Sequence, residues 1–91
     1  MIIGRVVGTV VSTVKHPVLV GRKLLVVQPV DPAGKPRGRT LVAVDTVRAG
    51  RGDTVLVLDE GNSSRTILGD PDAPVRTVIA GIVDSVTAEA P

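Results

Sequence analysis

From Ile2 to Val14 the chain alternates like a β-strand, yet it places apolar side chains on both faces of that strand. The even positions run Ile2, Gly4, Val6, Gly8, Val10, Ser12 and Val14, while the odd ones mix Ile3, Val7 and Val11 with Arg5, Thr9 and Thr13. This period predicts one long strand with Gly4 and Gly8 on a single face, where missing side chains permit the sharp coiling of a small closed barrel. A second strand is predicted over Lys23–Val30, ended by Pro29 and by the turn-rich segment 31–38, which cannot continue a ladder. Arg39–Val47 and Asp53–Asp59 read as the third and fourth strands. They are joined through Arg48–Gly52 as a hairpin in which two glycines can take positive φ. Gly61–Gly69 offers a capping residue, at most two turns of helix and a terminating glycine. A loop follows, and then a last strand over Val75–Val86. The expected class is mainly β: a small five-stranded, OB-like β-barrel with one short helix, formed by a single domain over residues 1–91. Periodicity does not fix the strand order.

A small sheet with one wet face alternates cleanly, so strands that are apolar on both faces need a cover, most simply copies of the same chain. Composition strengthens the point. Nineteen of the 91 residues are valine and none is aromatic. A chain of this length buries a modest fraction of its surface and gains stability from association. The net charge of +2 hides an uneven split, with nine basic residues against two acids through Gly52 and two against seven beyond it. Such halves can complement each other between subunits, can serve nucleic-acid binding, or can mix on the folded surface. The absence of cysteine excludes a disulfide framework, a thiolate nucleophile and sulfur ligation of zinc. Every apolar stretch is interrupted before the roughly 18 residues that span a bilayer, so no membrane helix is expected. Met1–Arg5 does not read as a secretion signal, and a cytoplasmic setting is expected.

Chemistry is sparse. The sole imidazole, His16, stands in a turn between Lys15 and Pro17, and one histidine forms no metal cluster. Asp45 and Asp84 each interrupt an apolar run. As a pair they could act as acid and base, but the simpler role is a carboxylate accepting hydrogen bonds from backbone or arginine. Arg51-Gly52-Asp53 matches an adhesion tripeptide by chance within a glycine-rich turn. Gly61–Arg65 resembles a helix start that attracts anions, without the Gly-Lys-Ser/Thr ending of a phosphate loop. No catalytic residue, metal ligand or cofactor is expected. Lys35, Arg37 and Arg39 in the exposed loop could touch phosphates, which keeps an OB-like nucleic-acid-binding module as the alternative function. The lack of any aromatic platform for base stacking argues against it.

Several runs, in order, resemble the EutN/CcmL family, the pentameric vertex subunits of bacterial microcompartment shells. They are Ile3-Gly4-Arg5-Val6-Val7-Gly8, Gly21–Pro29, Val44–Val57, Gly61-Asn62-Ser63-Ser64-Arg65 and Val78–Asp84, which together span nearly the whole chain. The resemblance implies a non-enzymatic barrel that forms a cyclic homopentamer, sits in the microcompartment shell and meets hexameric and trimeric shell proteins. A ring uses heterologous contacts, which suits doubly apolar strands and opposed charges. On this reading Asn62, Ser63, Ser64, Arg65, Asp45, Val83 and Asp84 fall at the subunit interface or the fivefold opening. Lys35, Arg37 and Arg39 form a loop that contacts the rest of the shell.

Overall fold

The computed structural model describes residues 1–11, 21–60, 67, 69 and 77–87. Five strands form a closed barrel: β1 (Ile2–Val10), β2 (Leu24–Pro29), β3 (Leu41–Asp45), β4 (Thr54–Asp59) and β5 (Thr77–Ile82), in the order β1-β2-β3-β5-β4. All pairings are antiparallel except β3 with β5. The predicted five-stranded β-barrel is therefore formed. Its strands are rich in β-branched residues, which fit a pleated and half-buried surface. The short helix expected over Gly61–Gly69 lies, apart from residues 67 and 69, outside the described residues, as do His16 and Asn62–Arg65.

The core fills the barrel from the inner face of every strand. Val6, Leu25, Val27, Ala43, Val55, Val57 and Ile79 form one buried cluster together with Ala49 from the loop after β3. Ile2, Leu41 and Val47 pack against it at the ends. No aromatic is needed, because a five-stranded barrel this narrow is filled by valine-sized side chains.

Three expectations are corrected. Gly4 and Gly8 face opposite ways, because a bulge between Val6 and Gly8 shifts the register and inverts the alternation. Gly4 points inward, paired with Val55, whereas Gly8 lies beside outward-facing Val26. Arg48–Gly52 does not close a hairpin between paired neighbours, since β5 lies between β3 and β4. Instead the loop folds on itself and onto β1: Gly52 N–H donates to the Val6 carbonyl at 2.9 Å and Val6 N–H to the Asp53 carbonyl at 2.9 Å. Finally, the strands are shorter than their apolar runs. β1 stops at Val10, and Val83–Thr87 continues past β5 without strand structure.

Candidate assembly surface

Strand register places the excess apolar side chains in two rows on the outside of the barrel. Gly8, Val26 and Val42 stand side by side across β1, β2 and β3. Val42 is 47% exposed and Val7, at the bulge next to this row, 43%. The second row runs Val10, Leu24, Val44, Val78 and Leu58, crossing all five strands. Within it Val44 and Val78 are buried, yet they lie outside the core cluster. The outer face thus carries two apolar rows, covered only in part, beside a polar row of Arg5, Gln28 and Thr54. Val11, just past the end of β1, is 95% exposed.

Burying a valine completely is worth about 1.5–3 kcal/mol, so each half-exposed valine of the first row still holds about 1 kcal/mol available to a partner. Such residues contribute to association of a small barrel without being enough alone, since association itself costs at least about 4 kcal/mol. Ile82, the last residue of β5, and Val86 beyond it add further exposed apolar side chains. Two separate surfaces of this kind are what a heterologous contact requires.

The remaining sequence-identified residues fall in different places. Asp45 ends β3 pointing inward and is only 8% exposed. One of its carboxylate oxygens accepts the N–H groups of Val47 at 3.0 Å and Ala49 at 3.2 Å. Its other oxygen lies 3.8 Å from Lys23 Nζ, which donates to the Ala49 carbonyl at 2.6 Å. This is the carboxylate satisfied by backbone donors that its apolar flanks suggest, and it organises the loop carrying core residue Ala49. The Lys23 side chain is about half exposed, so its Coulombic contribution is small beside the two N–H bonds.

Val83 is half-buried, and its N–H donates to the Thr54 carbonyl at 2.8 Å. Asp84 next to it is exposed. Asp45 and Asp84 are not brought together as an acid–base pair: Asp84 lies in a groove with Arg5 and Asp31 that does not include Asp45. Lys35, Arg37 and Arg39 are exposed on a loop whose conformation is fixed by Asp31. The Asp31 carboxylate accepts the N–H groups of Ala33 and Lys35, each at 2.9 Å, and Val30 bridges to Pro36. Sequence reasoning missed Val42 and Val26 as a continuous outer row, because their adjacency depends on cross-strand register. Alternation within β2 and β3 was the only signal pointing to it. Among the described residues no group of three or more His, Asp or Glu side chains is placed to hold a metal ion, and no helix is long and apolar enough to cross a membrane.

Residues 1–84 match the family model described as "Ethanolamine utilisation protein EutN/carboxysome". The carboxysome shell vertex protein CcmL of Gloeobacter violaceus is 44% identical over 89 residues, covering 98% of this chain and 88% of that protein. The bacterial microcompartment shell vertex protein EutN of Escherichia coli strain K12 is 41% identical over 83 residues, covering 91% and 86%. Among solved structures, the GrpN pentameric microcompartment shell protein from Rhodospirillum rubrum superposes with a TM-score of 0.86 at 43% identity, covering 98% of this chain and 100% of that one.

Proposed function

Because this chain belongs to the EutN/CcmL family, we propose that it is a structural vertex subunit of a bacterial microcompartment shell, working as a cyclic homopentamer and not as an enzyme. The observation that carries this reading is the near-complete structural match, over both chains, to a protein described as pentameric. The physical case is independent of that match. A barrel with valines exposed on its outer face, and further exposed apolar side chains at and after the end of β5, has the two unlike surfaces that a head-to-tail ring joins. A shell tiled by hexagons closes only where pentagons occupy its corners, so the ring is a corner piece.

In finer detail, residues 1–91 act as one domain. The outer row Val7, Val26 and Val42 on one subunit meets the Val83–Val86 region of the next, with Asp84 at the rim of that contact. On the family resemblance we assign Asn62, Ser63, Ser64 and Arg65 to the subunit interface or the fivefold opening, and Asp45 supports the interface by holding its loop. The loop of Lys35, Arg37 and Arg39 faces the hexameric and trimeric shell proteins around the corner. The distribution of charge supports this assignment, because these three cations project together from one loop that has a single acid, Asp31, turned onto its own backbone.

Native mass spectrometry of the purified chain tests the reading. A dominant species of five times the 9.4 kDa chain mass is expected. A well-behaved monomer at working concentration overturns it.

A further inference from the structure

A groove of about 660 Å³ opens beside the chain's first residues and is lined by none of Val7, Val26 and Val42. Its apolar lining includes Ile2, Ile3, Val30 and Leu41, its charged side chains are Arg37 and Arg39, and it contains no acidic residue. Ile2 and Leu41 pack against the core, so the floor is rigid. The rim is equally fixed. Arg37 N–H donates to the Pro29 carbonyl at 2.8 Å, and Gln28 Nε2 reaches the carbonyls of Pro29 at 2.9 Å and Gly38 at 3.2 Å, bracing the backbone between the two arginines. Among the described residues neither guanidinium has an ion-pair partner.

A preorganised cleft of this kind loses little entropy on binding. Its size lies within the range of specific ligand sites, and arginine forks bind carboxylates through paired hydrogen bonds. We propose that the groove seats an extended segment of an adjoining shell protein in which a carboxylate side chain is flanked by aliphatic ones. Arg37 and Arg39 hold the carboxylate, and the aliphatic side chains lie on Ile2, Ile3, Val30 and Leu41. Charge complementarity selects this occupant: a purely apolar segment leaves two guanidinium groups partly desolvated and unpaired, and a basic one is repelled. The identity of the neighbour rests on the vertex reading, whereas the chemistry of the groove does not.

The test is an NMR titration of the nitrogen-15-labelled full chain with a short end-blocked peptide alternating leucine and glutamate. Comparison titrations use leucine–lysine and serine–glutamate peptides and sodium acetate. Expected are amide shifts concentrated at Ile2, Ile3, Val30 and Leu41 with the leucine–glutamate peptide. An Arg37→Glu/Arg39→Glu double variant should bind at least about tenfold more weakly while keeping the wild-type mass in native mass spectrometry. The proposal is overturned by no binding at millimolar peptide, by shifts elsewhere, or by an equal response to the leucine–lysine or serine–glutamate peptide. Acetate alone reproducing the shifts also overturns it, by reducing the groove to a simple anion site. Loss of the wild-type assembly mass in the double variant does the same, by assigning the arginines to a contact between copies of this chain. A monomeric chain that still binds the peptide refutes the vertex reading and leaves the groove's chemistry standing.

Discussion

Gly4 and Asp45 each show one residue deciding local geometry. A Cβ built on Gly4 collides with Val27 Cγ1 and lies 3.1 Å from the Gln28 carbonyl oxygen, so this position is closed to any side chain. Gly4→Ala is expected to destabilise the barrel by about 1–3 kcal/mol, the usual cost of overpacking a core. At Gly8 the nearest atoms to such a Cβ are on Val26 at 3.9 Å, an ordinary contact, and Gly8→Ala should stay within about 0.5 kcal/mol. Thermal unfolding of both variants at one protein concentration checks the contrast, since unfolding of an oligomer depends on concentration. At Asp45, alanine removes the acceptor for two backbone N–H groups and should cost about 2–3 kcal/mol, whereas asparagine keeps an oxygen there and should cost about half as much. Urea unfolding of the two variants measures the difference. That Asp45 is satisfied by backbone was legible from its apolar flanks. Gly4 and Gly8 were legible as special positions, but their facing was not, because a bulge leaves no mark in alternation.

The weakest seam of the barrel is the parallel pair β3–β5, whose register spans only Val44 with Val78 and Asp45 with Ile79. Two threonines flank it from opposite strands. Thr46 Oγ1 donates to the Ile79 carbonyl and Thr77 Oγ1 to the Val42 carbonyl, each at 2.6 Å. Side-chain bonds thus extend a ladder that the backbone makes short. Thr46→Val preserves shape and removes one bond, for an expected loss of about 1 kcal/mol. Amide exchange should quicken at Val44 and Val78 more than at the β1–β2 ladder, and uniform acceleration would contradict a local role. The five strands themselves were legible from their apolar runs. The pairing of β3 with β5 was not, since a loop rich in glycine after β3 looks the same whether or not the next strand is its neighbour.

For the molecule as a whole, the outer valine row is the surface on which the proposed ring depends. Val42→Asp places a charge on the exposed face without touching the inner cluster, so the barrel should survive while the ring fails. The expected result is a native mass spectrum shifted from five chains toward one, with an unchanged β-type circular dichroism spectrum. A pentamer unchanged in stability to dilution would move the interface elsewhere on the surface. The assembly itself was legible early, because apolar side chains on both sides of a strand demand a second cover. Which side chains share the outer row was not, because that depends on which strands lie side by side.

The amino-acid sequence alone determined the strand content, the aromatic-free valine core and the resemblance to a vertex family, since each depends on residue type and local period. Only the tertiary structure decided the order β1-β2-β3-β5-β4, the inversion of facing at the β1 bulge, the burial of Asp45 in its own loop and the meeting of Arg37 and Arg39 with Ile2 and Leu41. The reason is physical. Period and propensity act between neighbours in the chain, whereas register, barrel closure and grooves arise from contacts between residues far apart in it, whose geometry is set only when the sheet closes.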